Sequence, residues 1–292
     1  MKKLLVLLAS LLLLVSCSAG GDSVVIASKQ FTENIVMSEV YAQLIEAKTD
    51  LRVERKQNLG GTTVIFQAFE EGEVDMYFEY TGTIVNEILE QEIPATADEV
   101  LSVAREGMAE DYGMTFFDPV GINNTFALGI LKSTADEYGI TTMSDLSEYA
   151  SDFRFGANHL FFTRITDGFD GMNELYDYEF GTVLKMDTSL AYESIGSDQL
   201  DVIVVYATDS LLQRYDMVVL EDDLEFFPAY HGAPLVRTSL LEEYPELNDV
   251  LNLMADSIDD AYMQAINYQV DVEDRSISDV ASEMIDDLGL LE

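Results

Sequence analysis

Apolar residues follow two rhythms along this chain, and the rhythms alternate. The β-branched run at residues 23–28 (SVVIAS) predicts a strand. Residues 32–47 then carry Ile35, Val36, Val40, Leu44 and Ile45 at helical spacing. Thr32 is the expected N-cap, and Glu33 falls in a first turn whose dipole favours negative charge. Residues 51–55 predict a second strand, and Gly60-Gly61-Thr62 turns into a helix over 64–71. Residues 72–80 (GEVDMYFEY) read as a turn and a strand, and Tyr80-Thr81-Gly82-Thr83 opens another helix. In the second half, 126–131 (FALGIL), 153–156 and 201–206 (DVIVVY) predict strands, and 190–195 a helix. Pro234 and Pro245 bracket a helix start near Thr238. Residues 247–291 read as helical, with Ala261, Met263 and Ile266 on the apolar face.

Strands alternating with helices at this spacing predict an α/β fold with mainly parallel pairing. Residues 66–80 and 192–206 echo one another: each has a helix, a Gly-containing turn, an Asp and a strand that ends in Tyr. The echo points to two similar lobes. No Pro- or Ser-rich stretch is long enough for a linker, so short crossings should join them.

The N-terminus adds an address. Lys2 and Lys3 precede an apolar run from Leu4 to Val15, followed by Ser16 and Cys17, the pattern of a secretory signal. The run is too short for a spanning helix, which needs ~20 residues. Leu14-Val15-Ser16-Cys17 resembles a lipobox, in which Cys17 becomes the lipid-bearing N-terminus. Cys17 is the only cysteine of the chain and has no disulfide partner, which favours an anchor. The expected organisation is a signal at 1–16, a lipidated tether at 17–22, lobe I at 23–121 and 226–292, and lobe II at 122–225.

Composition excludes more than it identifies. The chain holds 15 Lys+Arg against 55 Asp+Glu, a net charge of −40, which repels phosphate backbones and argues against nucleic-acid binding. The acids are scattered, as on a solvated surface in a salty exterior. Only His159 and His231 are present, and HExxH, CxxC, GxSxG and P-loop patterns are absent, so no enzyme, metal site or cofactor is expected. The acidic runs at 221–223 and 256–260 lack a calcium-loop spacing.

Aromatic content without tryptophan stands out: 15 Tyr and 15 Phe. Tyr80 and Tyr206 end strands, Phe126 begins one, and Tyr230 lies in the turn Phe226–Pro234. Ligands of open α/β sheets collect outside the carboxyl ends of strands, where such rings are well placed.

Several segments together carry a family resemblance. They are Lys29-Gln30-Phe31-Thr32-Glu33, Asn58-Leu59-Gly60-Gly61-Thr62, Glu79-Tyr80-Thr81-Gly82-Thr83 and Asn123-Asn124-Thr125-Phe126-Ala127-Leu128 in the first half. Tyr206-Ala207-Thr208-Asp209, Gly232-Ala233-Pro234-Leu235 and Asn267-Tyr268-Gln269-Val270-Asp271 follow. In this order the chain resembles the choline, glycine betaine and carnitine binding proteins of osmoprotectant ABC importers. The resemblance implies a two-lobed type II periplasmic-binding-protein fold and an aromatic box at Tyr80, Phe126, Tyr206 and Tyr230. Phe126 stands where the family usually has tyrosine. The resemblance also implies polar contacts from Ser28, Thr83 and Asn124, a small quaternary-ammonium solute, and a separate ABC permease with a cytoplasmic ATPase.

The chemistry agrees with a box. A trimethylammonium group has no N–H to donate and spreads its charge over methyls, which favours ring faces at ~0.5–2 kcal/mol each. The competing reading is a binding protein for another small solute: an amino acid, a polyamine or an ectoine-like compound. An amino-acid site would set an arginine against the α-carboxylate, with Arg154 and Arg164 as candidates.

Overall fold

The computed structural model describes residues 23–159, 161–164 and 167–291. The signal, lipobox and tether assignments, Cys17 included, lie outside the described residues. Among the described residues no helix is long and apolar enough to cross a membrane.

Two five-stranded sheets organise the chain. Lobe I contains β1 (Ser23–Lys29), β2 (Arg52–Gly60), β3 (Met76–Tyr80), β4 (Met114–Phe116) and β10 (Gly232–Arg237) in the order β2-β1-β3-β10-β4. Lobe II contains β5 (Phe126–Leu131), β6 (Arg154–Ala157), β7 (Thr182–Lys185), β8 (Val202–Tyr206) and β9 (Met217–Val219) in the order β7-β6-β8-β5-β9. The orders are equivalent, and each lobe borrows its fourth strand after a crossing from the other. The echoed segments are the helix Thr62–Glu70 with β3 and the helix Thr188–Gly196 with β8, in matching places.

The central strands of both sheets are buried on both faces, and a period of two divides their side chains. Met76, Phe78 and Tyr80 enter one core cluster of lobe I while Tyr77 enters the other. In lobe II, Val202 and Val204 face one cluster and Ile203 and Val205 the other. Such strands read as continuous apolar runs because neither face meets water.

Three expectations need correction. Pairing is mixed: β1 runs parallel to β2 and β3, and β6 to β7 and β8, but β10 is antiparallel to β3 and β4, and β5 to β8 and β9. A strand entering from the other lobe starts at the cleft end, so it runs against its neighbours. Thr32 is not the cap of the first helix. Phe31 holds that place with an extended backbone, and the Thr32 hydroxyl donates to Asp271 instead. The C-terminal region is broken into helices at Leu247–Leu251, Asp260–Asp271 and Ile277–Asp287. Between the first two, the Asp256 and Ile258 amides bond to the Pro119 and Val120 carbonyls of a crossing segment. Asp259 and Ser276 then cap the next two helices. Met263 and Ile266 are buried as expected, but Ala261 is exposed.

The crossing segments lie side by side, with an antiparallel bridge between Asn123 and His231. Box positions therefore sit next to the point where the two lobes join.

Candidate functional site

The four aromatic positions converge. Tyr80, Phe126, Tyr206 and Tyr230 line one cavity of about 220 Å³, with Thr83, Asn124, Phe31, Lys29, Glu87 and Arg164 completing its wall. The sheets explain the convergence. Tyr80 ends β3 opposite Gly232 of the antiparallel β10, and Tyr206 ends β8 opposite Phe126 of the antiparallel β5. Each ladder therefore delivers aromatic side chains to the cleft edge of its lobe.

Each ring is held differently. Tyr80 is 4% exposed, packs in stacked fashion on Phe31 at 6.2 Å and donates its hydroxyl to Glu33 Oε1 at 2.5 Å. Phe126 and Tyr206 stack at 4.9 Å, and Tyr206 is 44% exposed to the cleft. The backbone of Tyr230 is pinned to the crossing by its amide, which donates to Asn123 Oδ1 at 2.7 Å. Its ring lies against Gly82, where any Cβ would come within 2.7 Å. Burial raises the Tyr230 hydroxyl pKa above its ordinary value, opposed by Arg164, its hydrogen-bond partner.

Of the polar positions, Thr83 and Asn124 line the cavity and Ser28 does not. Ser28 is fully buried, and its hydroxyl accepts the Asn58 amide at 2.8 Å, fixing the bulge at the end of β2. Asn124 donates Nδ2 to Glu33 Oε1 at 3.1 Å and leaves its buried Oδ1 without a partner.

Two cations also line the cavity. Lys29 places Nζ 5.3 Å from the Tyr80 centroid and 2.5 Å from Glu79 Oε1. Glu79 is fully buried, and desolvation raises its pKa despite this pairing. Arg164 lays its guanidinium 5.1 Å from the Phe126 centroid and pairs with Asp167. Arg154 is elsewhere: it is committed to Asp201 and the Asp198 carbonyl. Lys29 sits inside the KQFTE segment, directly after Ser28. Arg164, a candidate for a carboxylate partner on sequence grounds, does line the cavity.

A second cavity of about 410 Å³ shares Phe31, Asn124 and Tyr206 with the first, so the cleft continues behind the box. Glu33, Asp209 and Asp271 line it, and no Lys or Arg does. The Asp260–Asp271 helix binds the loop after Tyr206 here: Gln264 Nε2 donates to the Ala207 carbonyl at 2.7 Å and Asn267 Nδ2 to the Thr208 carbonyl at 2.9 Å. Ser210 donates to Asp271 at 2.8 Å. These contacts account for two of the sequence segments, Tyr206–Asp209 and Asn267–Asp271, occurring together. Among the described residues no group of three or more His, Cys, Asp or Glu could hold a metal ion.

Comparison with known proteins agrees with the two-lobed fold. A carnitine transport binding protein of Listeria monocytogenes is 32% identical over 286 residues, covering 96% of this chain and 93% of that one. A glycine-betaine-binding protein of Pseudomonas aeruginosa is 31% identical over 285 residues, covering 94% and 90%. A crystal structure described as a glycine betaine/carnitine/choline ABC transporter matches with a TM-score of 0.89 and 29% identity over 93% of this chain and 99% of that one. The family described as the substrate binding domain of ABC-type glycine betaine transport systems matches residues 22–287. With the two-lobed fold and the ring-lined cleft already in place, this chain belongs to that family of ABC-transport substrate-binding domains.

Proposed function

We propose that the protein captures a zwitterionic trimethylammonium solute of the glycine betaine or carnitine type outside the cytoplasm and hands it to an ABC permease. One observation carries the reading: rings from both lobes line the same cavity as Lys29 and Arg164. Tyr80, Phe126, Tyr206 and Tyr230 offer faces to the methylated nitrogen. Arg164, with its planar fork of donors, and Lys29 offer charge-assisted hydrogen bonds to a carboxylate, and Thr83 adds a hydroxyl. Choline has no carboxylate and makes no use of either cation. Lipidation at Cys17 would keep the receptor near its permease and raise its effective concentration there.

Lobe closure follows from the same arrangement. Tyr80 and Tyr206 sit on different lobes, so a solute touching both makes some of its contacts only when the cleft is shut. That difference in affinity shifts the population toward the closed form, which is the form suited to docking.

An ordinary amino acid is the rival to compare, since Arg164 does line the cavity. Its ammonium, however, needs acceptors for three N–H groups, and the box offers mainly ring faces beside the single carboxylate of Glu87. Calorimetric titration of the soluble domain with glycine betaine, carnitine, choline and a set of amino acids is the test. The two betaines should bind most tightly. Tighter binding of choline or of an amino acid overturns the reading.

A further inference from the structure

Glu33 lies directly behind the box, and nothing in the proposed ligand contacts explains it. It is 2% exposed, at the start of the helix Thr32–Lys48, and its neighbours are all donors. Tyr80 donates to Oε1 at 2.5 Å and Asn124 Nδ2 to the same oxygen at 3.1 Å. Asn267 Nδ2 lies 3.5 Å from Oε2, and the Thr208 hydroxyl is a further partner. No Lys or Arg lines the cavity into which Glu33 opens, and Lys29, on the other side of Tyr80, is engaged with Glu79.

These partners are not scattered through the fold. Tyr80 is itself a box residue, Asn124 comes two positions before Phe126, and Thr208 comes two positions after Tyr206. One carboxylate thus gathers the chain beside three of the four rings, from both lobes. Burying a carboxylate without a cation is costly, and a fold that needed only hydrogen-bond acceptors here could use an amide. Asn124 and Asn267 each keep a buried Oδ1 without a partner, so an amide at position 33 would even find acceptors for its own N–H groups.

We propose that Glu33 is the buried counter-charge of the aromatic box, a positioning residue that makes the site prefer a cation over a neutral group of the same shape. It orients Tyr80 with its hydroxyl turned away from the ligand and the ring face forward. Its negative charge, little screened behind the rings, then lowers the energy of a positive charge in front of them. This inference rests on the quaternary-ammonium reading of the same cavity.

The test compares glycine betaine with 3,3-dimethylbutanoate, its neutral-headed carbon isostere, by calorimetry on the parent, Glu33→Gln and Glu33→Asp. In the parent, betaine should bind more tightly than the isostere. Glu33→Gln should shrink that affinity ratio roughly 5- to 30-fold, the effect of one unit charge ~8 Å away at an effective dielectric of ~20–40. Glu33→Asp keeps the charge and should keep the ratio, whatever it loses in absolute affinity. Glu33→Gln should also melt no lower than the parent, because it removes a buried charge. An unchanged ratio in Glu33→Gln, an equal fall in Glu33→Asp, or a Glu33→Gln chain that melts lower or does not fold overturns the proposal. A parent that does not distinguish betaine from the isostere overturns the ligand reading itself, a failure visible without any variant.

Discussion

Phe126 and Tyr206 face each other across the β5–β8 ladder and stack with ring centroids 4.9 Å apart and planes 27° from parallel. Direct cross-strand neighbours on one face are close enough for ring contact, so the ladder sets this pair without help from a loop. The pair exists because β5 enters lobe II from the crossing and runs antiparallel to β8. A parallel β5 would put the end of one strand beside the end of the other, and Phe126 would lie far from Tyr206.

Tyr206 is the exposed member of that pair, so substitutions there act mainly on the ligand. Tyr206→Ala should weaken betaine binding by about 2–4 kcal/mol, roughly 30- to 1000-fold, through the lost face and the unstacked Phe126. Tyr206→Phe keeps the face and should cost less than about fivefold. Titration calorimetry of both variants is the check, and equal losses would mean that the hydroxyl rather than the face is used.

Arg164 separates carboxylated from uncarboxylated solutes. Arg164→Gln should lower affinity for glycine betaine and carnitine by about 2–3 kcal/mol, the size of a lost charge-assisted hydrogen bond. Choline should change little, since it makes no use of the guanidinium. A competition assay that reads the betaine-to-choline ratio decides it, and a ratio left intact would remove Arg164 from the carboxylate subsite.

Gly82 gives the ring of Tyr230 its room. Gly82→Ala sets a methyl within 2.7 Å of that ring and should cost about 1–3 kcal/mol of stability. Because Tyr230 must move, betaine affinity should fall as well. Thermal melting with and without ligand separates the two effects. A variant that melts and binds like the parent would show that the ring yields freely.

Glu33 leads to a pH dependence of stability. Desolvation raises its pKa above the usual carboxylate range, against the hydrogen bonds of Thr208, Tyr80, Asn124 and Asn267. A raised carboxyl pKa means that the charged form is less favourable in the fold than in the unfolded chain. The contribution to stability is therefore full below the unfolded-chain value and is lost as pH rises through the folded one. The melting temperature of Glu33→Gln minus that of the parent should grow as pH rises above the unfolded-chain carboxyl value and level off only above the folded one. A difference that shrinks with rising pH would reverse the assignment.

Much of the fold was legible because both rhythms of burial are written in the residues themselves. The runs ending at Tyr80 and Tyr206 mark strands whose ends meet the cleft, and the repeated helix–turn–strand pattern identifies matching units. The four aromatic positions were legible for the same reason, aided by the family resemblance. Lys29, Arg164 and Glu33 were not legible as a group. Arg164 was legible only as a partner for an amino-acid carboxylate, and a glutamate in the first turn of a helix reads as a solvated charge complementing the dipole. Ser28 misled for the converse reason: a serine at a strand end can face a ligand or a neighbouring backbone, and here the Asn58 amide takes its hydroxyl.

By itself the sequence determined the strands β1, β2, β3, β5, β6 and β8, the acidic composition and the aromatic positions, since composition and periodicity are properties of each segment alone. Only the tertiary structure decided that β5 and β10 reverse direction, that residues 247–291 break into separate helices, and that a buried carboxylate stands behind the rings. Those facts depend on which distant segment arrives to share a hydrogen bond or cover a face. A local pattern records that a residue is buried, but not what buries it.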